Sequence, residues 1–489
     1  MSLHGEVENI LWVFCDELRA DVLGCYGGHR ESLTPNIDRL ADRGWLFENC
    51  FTNSPVCVPA RVSMHTGLLP EETGVLHNEA DLPGYIYHGP PAFTKVLRDA
   101  GYRCIDVGKE HVPETMQPWS ARFPKGGAIR EVLSGLSVEE VGGVVLPGSR
   151  QIVAGRYPSD RTCSGAAVTA KVSRLLATLQ EPFFLRASFL QPHTPVIAEG
   201  ADLDAVEGCS WLANQDGMDH FERDSPRFEA RFAAVSGGLQ LSPQEVRNAR
   251  LCYAAMVAWV DRQVGELVIA LDASGRRHKT AIVLASDHGV SLGEGGMFGK
   301  HTFAQQSQRI PLIIAWPSRK DSNRLGDLVQ GIDLPRTFCD LVGIAPPEWA
   351  KGRSLLSEAE PEYVLGSIGY GERNSRAFPT LGVGDYVDGQ GWPRRACIRT
   401  KQYRLDCNVR IDGRESEPGE RDVFLTDVLA DPLELQNCAD DDKFAGVRQE
   451  LEARLIRQHS GVTEYGAEVY DIVTRSAEVL RKTRTQIMR

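Results

Sequence analysis

The sequence predicts an α/β protein built on a doubly wound, mostly parallel sheet flanked by helices. Apolar runs of strand length recur through the first 355 residues, and segments of helical periodicity separate them. Several of these runs end in charged residues, as strands do at the ligand-binding edge of an open α/β sheet. After residue 355 the pattern changes to short strands and one helix. We therefore predict a larger α/β domain at 1–355 and a smaller C-terminal subdomain at 356–489, with an antiparallel sheet and a helix.

Strands and helices alternate along the predicted larger domain. Thr34 is the expected cap of the first helix, with Pro35 at its first position, and the run Ser-Pro-Gln-Glu at 242–245 forms a capping box that begins a long helix. Gly101 is suited to end a helix, because glycine readily adopts the left-handed conformation found after a last turn. In chain order, we predict strands at 9–15, 104–107, 183–189, 280–285 and 310–316, and helices at 35–41, 91–100, 168–179 and 243–271.

Two irregular segments and the chain end complete the predicted organisation. Residues 112–160 are punctuated by Gly and Pro, and 199–240 are similarly irregular, so we expect both segments to shape the mouth of a pocket. The final stretch, 465–489, has the pattern of a Lys/Arg-rich amphipathic helix. We expect it to pack against the body or against a second subunit in a homo-oligomer, or else to lie in solvent. In the smaller subdomain we predict strands at 396–399, 403–407 and 423–426, and a helix at 442–457.

The composition restricts the class of protein and its partners. The 489 residues are 42% hydrophobic and 25% charged, as in ordinary globular proteins. The formal net charge of −12 argues against nucleic acid and membrane surfaces as partners but allows a locally positive pocket. No apolar run approaches the ~20 residues of a membrane-spanning helix. The twelve cysteines are scattered and no signal peptide is visible, so we expect reduced thiols in a cytoplasmic protein. A signal peptide that had been removed would instead indicate the periplasm.

Two aspartates that follow predicted strands are candidates for a metal site. Asp16 comes directly after the first strand, and Asp287 follows the strand at 280–285 with His288 beside it. Because parallel strands end at the same edge of a sheet, the two carboxylates should converge there and repel each other unless a cation separates them. Either aspartate alone is more simply explained as the cap of a turn. The pair, with an imidazole beside it, favours a divalent metal.

The run Cys-Val-Pro-Ala-Arg at 57–61 is the candidate for the reacting group. It combines a nucleophile precursor, a rigid turn and a cation. A buried thiol beside a helix start is the simpler interpretation, since proline suits the first helical turn and free cysteine is often buried. The charged residues predicted around the same sheet edge nevertheless favour a chemical role.

Two lysines and two histidines are predicted near this motif. Lys109 and His111 lie two positions apart after a strand, so alternation on an extended segment would direct both to one face. His193 follows another strand, and Lys300 lies in the loop beyond Asp287. With Arg61, these cations suit an anionic substrate whose transition state spreads charge over several oxygens. The side-chain amide of Asn78 is able to donate to such an oxygen.

Taken in order, these residues resemble the sulfatases of the alkaline-phosphatase superfamily. The resemblance also covers the segments 34–40, 332–334 and 427–437, and so extends over most of the chain. In that family the cysteine of C-x-P-x-R, which Cys57 matches, is oxidised after synthesis to formylglycine, an aldehyde that hydrates to a geminal diol. The resemblance therefore implies a formylglycine-generating, sulfatase-maturing enzyme as a partner and a small anionic sulfate ester as the substrate.

The resemblance implies one divalent metal ion, most readily Ca²⁺ or Mn²⁺. Asp16, Asp287 and His288 are expected to bind it together with the modified Cys57. Glu17 is expected to bind it through one oxygen or to hydrogen-bond the modified residue, and stands where family members usually have Asp or Gln. His288 replaces the Asn of many calcium-dependent arylsulfatases, and a nitrogen ligand admits manganese or zinc.

The resemblance also implies a catalytic role for each of the cations. Arg61 and Lys109 are expected to hold and polarise the diol, one oxygen of which attacks sulfur while the metal and Lys300 neutralise the sulfate oxygens. His193, with Lys300, would protonate the departing alcohol. His111 would take the proton from the second hydroxyl, so that the hemiacetal collapses, expels sulfate and regenerates the aldehyde.

Three functional hypotheses follow from these patterns. The Lys-Glu-His run at 109–111 is sulfatase-like, so we rank first a sulfuric ester hydrolase, an arylsulfatase or a choline-sulfatase-like enzyme. The Asp-His pair at 287–288 is similar to that of choline sulfatases and phosphonate monoester hydrolases, which puts a phosphonate monoester hydrolase or phosphodiesterase second. A non-catalytic anion-binding protein that keeps Cys57 as a thiol is the third. Aryl, choline, alkyl and sugar sulfates all remain open as substrates.

Overall fold

The computed structural model describes most of the chain. The predicted tail helix at 465–489 lies outside the described residues, as does 213–223 within the second irregular segment. The division of the chain at residue 355 stays a prediction. The described ranges are 6–27, 33–81, 85–133, 135–148, 151–209, 211–212, 224–317, 322–369, 393–411 and 414–459.

The strands of the described residues form a large sheet, a smaller antiparallel sheet, a short three-stranded sheet (β5-β6-β8) and a two-stranded ribbon (β10-β11). In chain order they are β1 Asn9–Asp16, β2 Trp45–Phe51, β3 Arg103–Gly108, β4 Ala121–Phe123, β5 Val144–Val145, β6 Ile152–Arg156, β7 Phe183–Pro192, β8 Val196–Ala198, β9 Thr280–Ser286, β10 Ser291–Leu292, β11 Phe298–Gly299, β12 Leu312–Ala315, β13 Asn323–Gln330, β14 Val364–Ile368, β15 Arg394–Arg399, β16 Tyr403–Ile411, β17 Arg414–Glu415 and β18 Phe424–Asp427.

The α-helices of the described residues lie between these strands and cover the sheets. In chain order they are α1 Gly24–Gly27, α2 Pro35–Ala41, α3 Cys57–Thr66, α4 Pro70–Thr73, α5 Thr94–Asp99, α6 Ile129–Val132, α7 Val138–Val141, α8 Ala166–Thr178, α9 Gly200–Val206, α10 Arg227–Ser236, α11 Pro243–Ala273, α12 Gln305–Gln308, α13 Leu334–Leu341 and α14 Ala445–His459.

The large sheet has the strand order β13-β2-β12-β9-β1-β7-β3-β4. The pairs of β1 with β7 and β9, of β3 with β4 and β7, and of β2 with β13 are parallel, whereas β12 runs antiparallel to both of its neighbours. The prediction of a mostly parallel sheet flanked by helices is therefore confirmed. The expected strand at 310–316 exists as the shorter β12, which runs in the opposite direction to the strands on either side of it.

Both faces of the large sheet are covered by apolar cores. Along β1, Leu11 and Val13 belong to one hydrophobic cluster, whereas Trp12 and Phe14 belong to the other. Strands that are buried on both faces have continuous apolar sequences, because successive side chains alternate between two apolar layers. This explains why β1 was recognisable from its sequence, and it leaves the strand ends as the natural place for polar groups.

The start of α2 differs from the prediction. Thr34 Oγ1 accepts a hydrogen bond from the Gly24 amide at 2.9 Å and makes no capping bond to its own helix. Asp261, from the long helix α11, instead accepts from the amides of Asn36 and Ile37 at 3.0 and 2.8 Å. Thr34 occupies the N-cap position, as predicted, but its side chain does not cap the helix, because a carboxylate from another helix satisfies the free amides of the first turn.

The capping box at the start of α11 is confirmed. The Ser242 amide donates to Glu245 Oε2 at 2.8 Å, and the Glu245 amide donates to Ser242 Oγ at 3.3 Å. The predicted helix at 91–100 is shorter, as α5, and Gly101 follows it with a φ of 91°. The segment 112–160 contains several short elements, one of which, β4, forms an edge of the large sheet.

The smaller antiparallel sheet has the strand order β14-β15-β16-β17, with β18 paired to β16, and α14 packs against it through Leu451 and Leu455. The prediction of an antiparallel sheet with one packed helix is confirmed. A buried ion-pair cluster joins this sheet to the segment that carries Lys300. Glu434 accepts from Arg399 at 2.5 Å, from Arg404 at 2.7 Å and from the backbone amide of Gln305 at 3.0 Å.

Candidate active site

Three neighbouring strands of the large sheet end at the candidate site. The parallel strands β9, β1 and β7 lie side by side, and their carboxyl ends are followed by Asp287, Glu17 and His193, with Asp16 as the last residue of β1. The predicted convergence of Asp16 and Asp287 is confirmed, since Arg61 contacts both carboxylates. The physical reason is topological, because parallel neighbours end at the same edge of a sheet.

Helix α3 begins at Cys57 and directs its first turn into this edge. The carbonyl oxygen of the Asn78 side chain accepts from the Val58 amide at 3.0 Å, which satisfies one free amide of the helix start. The ten-residue helix presents the positive end of its dipole to position 57, where it favours negative charge. The Cys57 side chain is fully buried. Its Sγ lies 2.9 Å from Lys300 Nζ and 3.2 Å from His288 Nε2.

Four residues of this edge form a group that could hold a metal ion. One ligand atom from each of Asp16, Cys57, Asp287 and His288 lies within 4.8 Å of the other three, and all four residues are buried. The imidazole is oriented for ligation, because its Nδ1 donates to the Gly289 carbonyl at 2.9 Å and its Nε2 faces the group. Two buried carboxylates that converge on one point need a cation, so this donor set fits a divalent metal.

Arg61 is the cation that contacts both carboxylates of this group. Its Nη2 lies 2.8 Å from Asp16 Oδ2 and its Nε lies 2.8 Å from Asp287 Oδ2, with all three side chains buried. Burial and Cys57 oppose ionisation of Asp16, but Lys109, His193 and Arg61 outweigh them and lower its pKa. Burial and the charge of Asp16 raise the pKa of Asp287. Asp16 is therefore stabilised as an anion, whereas its proximity disfavours the charged form of Asp287.

Charges of opposite sign around His288 and Cys57 stabilise the ionised form of each side chain. Burial by itself lowers the pKa of His288, but Asp287 and Cys57 outweigh it and raise the pKa to about 9. Burial raises the pKa of the Cys57 thiol, yet Lys109, Lys300 and His288 together hold that pKa well below its ordinary value. An anionic group at position 57 is thus stabilised from several directions.

Lys109 and His111 both approach position 57 but do so from a bent segment. The Lys109 ammonium contacts Asp16, and both Lys109 and His111 contribute to the lowered pKa of the Cys57 thiol. Strand β3 ends at Gly108 with a φ of 107°, and His111 has a φ of 55°, so the segment is not extended. The prediction that strand alternation aligns the two side chains was wrong. The backbone turns there, and Arg61 Nη1 donates to the Lys109 carbonyl at 2.9 Å.

Lys300 and His193 form the other side of the site. Lys300 Nζ lies 3.0 Å from His193 Nε2 and 2.7 Å from Glu17 Oε1. His193 Nδ1 donates to the Thr194 carbonyl, which leaves Nε2 to accept from the lysine. Burial opposes the charge of Lys300, but Cys57 and Glu17 outweigh it and raise its pKa. Lys300 therefore remains an ammonium next to position 57.

Two residues that contact the predicted site residues were not identified from the sequence. Asp81 Oδ2 lies 3.5 Å from His111 Nε2, at the end of the short 3₁₀ turn Asn78–Asp81. Ser188 Oγ donates to the Lys109 carbonyl at 2.5 Å. No motif or spacing distinguishes either residue in the sequence. Only its position three residues after Asn78 could have drawn attention to Asp81.

The sulfatase family model matches residues 8–344 of the chain. The chain belongs to the sulfatase family. The matched span includes every predicted site residue and the whole of the large sheet. Among the described residues of this sulfatase-family chain, no helix has both the length and the apolar character that crossing a membrane requires.

Individual relatives differ in their named activities. The chain is 29% identical to the choline-sulfatase of Rhizobium meliloti, covering 88% of this chain and 82% of the relative. It is 26% identical to the multifunctional alkaline phosphatase superfamily protein PehA of Trinickia caryophylli, covering 96% and 99% respectively. Its fold matches the phosphonate monoester hydrolase of Agrobacterium radiobacter with a TM-score of 0.72 at 21% identity, covering 93% of this chain and 96% of that structure.

Proposed function

We propose that this sulfatase-family chain hydrolyses sulfate monoesters, releasing inorganic sulfate and an alcohol or phenol, with a nucleophile derived from Cys57. The proposal rests on the groups that surround Cys57 Sγ. Lys300 Nζ lies 2.9 Å from this sulfur, His288 Nε2 3.2 Å and Asp16 Oδ1 3.6 Å. A cysteine at the positive end of a helix, beside a group that could hold a dication, supports a role in attack on an anionic ester.

Asp16, Asp287 and His288, with residue 57, would hold one divalent metal ion. Two carboxylates with one nitrogen favour Mn²⁺ or Ca²⁺, and the nitrogen argues against a site restricted to Ca²⁺. When bound, the metal would neutralise charge on the sulfate oxygens. Conversion of Cys57 to formylglycine by a maturing enzyme would supply a hydrated aldehyde, with one hydroxyl as nucleophile and a second that lets the ester collapse without attack by water.

The remaining site residues have distinct roles in this proposal. Arg61 and Lys109 hold residue 57 and the charge that develops beside it, since both cations contact Asp16. Lys300 faces the sulfate and, with His193, gives a proton to the departing oxygen. His111 takes a proton from residue 57 in this proposal, and it already contributes to the lowered pKa of the Cys57 thiol. Asn78 binds the substrate through its amide nitrogen, since its oxygen is already held by the Val58 amide.

Intact mass and a substrate panel test the proposal directly. Formation of the aldehyde from Cys57 lowers the mass by about 18 mass units relative to the unmodified chain. We expect the modified protein with Mn²⁺ or Ca²⁺ to hydrolyse aryl sulfates, and the Cys57→Ala variant to be inactive. A fully modified protein without activity on aryl, choline, alkyl or sugar sulfates would contradict the proposal. Equal binding of sulfate esters by the parent and Cys57→Ala, with hydrolysis by neither, would favour the non-catalytic, anion-binding interpretation instead.

A second candidate function is hydrolysis of phosphonate monoesters or phosphodiesters at the same site. The nitrogen ligand His288 and the multifunctional relative favour it. The test compares phenyl sulfate with a phenyl phosphonate monoester, so that the phenol leaving group is held constant. A higher kcat/KM for the phosphonate would make this the principal activity.

A further inference from the structure

Glu17 has a different environment from the other acidic residues of the site. Its Oε1 lies 2.7 Å from Lys300 Nζ and 3.4 Å from His193 Nε2. Its Oε2 accepts from both the backbone amide and the hydroxyl of Thr194, each at 3.1 Å. Both carboxylate oxygens are thus engaged by residues on the side of the site where the alcohol would depart.

The backbone of Glu17 is held in an unusual conformation. Its φ is 64°, in the left-handed region that a residue with a β-carbon adopts at a cost of about 1–2 kcal/mol. The hydroxyl of Tyr253, on α11, donates to the Glu17 carbonyl at 2.6 Å, and the Glu17 amide donates to Asp287 Oδ1 at 3.2 Å. Contacts from two other elements therefore impose this conformation, and with it the direction of the side chain.

The donor set for a metal does not require Glu17. The buried group Asp16, Cys57, Asp287 and His288 is complete without it. Glu17 could instead form a second group with Asp16 and His193. However, Lys300 Nζ is within hydrogen-bonding distance of two of these three residues, Glu17 and His193. The lysine ammonium already supplies the positive charge that this second group needs.

We propose that Glu17 is a positioning residue, which holds Lys300 and His193 against the leaving group, and is not a ligand of the resident metal. This inference rests on the proposed sulfate ester hydrolysis. The glutamate side chain, one methylene longer than an aspartate, is long enough to contact both Thr194 and Lys300. The metal would then have only two carboxylate ligands. The ion pair of Glu17 with Lys300 would hold the lysine and the imidazole of His193 in position beside the departing oxygen.

Metal affinity and leaving-group dependence together test this assignment. The full-length protein and its Glu17→Gln variant are dialysed against buffered free Mn²⁺, and bound metal is measured by elemental mass spectrometry. We expect the Mn²⁺ Kd of Glu17→Gln to stay within about threefold of wild type, whereas Asp16→Asn, a change to a ligand, should weaken binding by about tenfold or more. This readout does not depend on activity.

The catalytic readout compares phenyl sulfate, whose leaving group needs a proton, with 4-nitrophenyl sulfate, whose leaving group needs little help. Glu17→Gln should lower kcat on both substrates, but the loss on phenyl sulfate should be about tenfold or more greater than the loss on 4-nitrophenyl sulfate. The reason is that proton donation contributes most to the departure of poor leaving groups. Thr194→Val, which removes one donor to Glu17 Oε2, should give a smaller change in the same direction. The Thr194→Val variant still tests the role of Glu17 if Glu17→Gln folds poorly.

Two results separate failure of this inference from failure of the proposed function. A tenfold or greater loss of Mn²⁺ affinity in Glu17→Gln, with both substrates restored equally by excess Mn²⁺, would make Glu17 a ligand and overturn the inference. Equal losses on the two substrates would also overturn it. A modified wild-type protein inactive on these two esters and also on choline, alkyl and sugar sulfates would instead remove the proposed function, while the dialysis would still decide whether Glu17 binds the metal.

Discussion

His288 Nε2 lies 3.2 Å from Cys57 Sγ, although 231 positions separate the two residues in the chain. One residue follows a central strand of the large sheet and the other begins helix α3. Their contact makes the end of a strand and the positive end of a helix parts of one buried polar site. The consequences of that burial can be measured, because each buried charge there depends on a partner from another element.

Replacement of Arg61 should destabilise the protein more strongly when no metal is available. Arg61→Ala leaves Asp16 and Asp287 buried without their shared cation, which should cost about 3–5 kcal/mol of unfolding free energy. Divalent metal should recover part of this loss, since it supplies positive charge to the same carboxylates. Urea unfolding with EDTA and with Mn²⁺ measures both quantities.

The exposed pair of Arg414 and Glu420, joined at 2.7 Å, provides the control for this experiment. Arg414→Ala should change stability by less than about 1 kcal/mol, and Mn²⁺ should make no difference to that change. If Arg61→Ala lowered the unfolding free energy by as little as Arg414→Ala, the stability of the two buried carboxylates would not depend on the charge of Arg61.

Gly108 should tolerate substitution far less well than Gly101, although both have positive φ and flank the same strand. A β-carbon at Gly108 would lie 2.0 Å from the Ser188 carbonyl oxygen, whereas one at Gly101 meets nothing within 4 Å. Gly101→Ala should therefore cost only the strain of about 1–2 kcal/mol, and Gly108→Ala about 3 kcal/mol or more because the clash adds to it.

Gly108→Ala should also reduce activity, since the clash displaces the backbone from which Lys109 extends. Chemical unfolding and kcat/KM for an aryl sulfate measure the two effects. Similar stability for both variants would mean that the end of β3 can shift away from Ser188 without loss.

Asp81 should affect turnover through His111. Asp81→Asn removes the carboxylate charge 3.5 Å from His111 Nε2, so the imidazole loses an orienting and charge-stabilising partner. We expect kcat to fall about tenfold with little change in KM, because the proton transfer is affected and substrate binding is not. Steady-state kinetics on an aryl sulfate measure kcat and KM separately.

Asp99 is a suitable control for Asp81, because its carboxylate is exposed and pairs with Lys95 on the surface of α5. Asp99→Asn should leave both kinetic parameters unchanged. A rise in KM without a fall in kcat for Asp81→Asn would place Asp81 in substrate binding rather than beside the proton transfer.

The stability that Glu434 contributes should depend on pH. Burial opposes its ionisation, but Arg399 and Arg404 outweigh burial and lower its pKa from 4.5 to about 2. Because the folded-state pKa is depressed, this stabilisation is fully present above about pH 4.5 and is lost as the pH falls through about 2. Glu434→Gln should therefore cost about 3 kcal/mol near neutral pH and progressively less between pH 4.5 and 2.

Unfolding of wild type and Glu434→Gln across this pH range measures the difference. Glu420 is the control, since its pKa is also lowered to about 2, by the hydrogen bond from Arg414, but on the surface. Glu420→Gln should have a small effect that added salt removes. A difference between wild type and Glu434→Gln that did not change with pH would argue against an ionised Glu434.

Much of the architecture was predictable because its determinants are local. The apolar run of β1, the capping box of α11 and the turn residues at Gly101 identify elements without knowledge of the rest of the chain. The strands β2 and β13 were missed, since half-buried residues interrupt their apolar pattern. Thr34 is the N-cap residue, as predicted, but the sequence could not reveal that Asp261, on another helix, accepts from the free amides in place of its side chain.

The amino-acid sequence alone determined the fold class and gave the set of residues proposed to react, because strand ends, the motif at 57–61 and the order of charged residues are properties of the linear chain. Tertiary structure decided how these residues pair. It sets Arg61 between two aspartates, bends the segment after Gly108 and turns Glu17 toward Lys300 through a positive φ. The physical reason is that the energy of a buried charge depends on partners within a few ångströms, and only folding brings residues hundreds of positions apart to that distance.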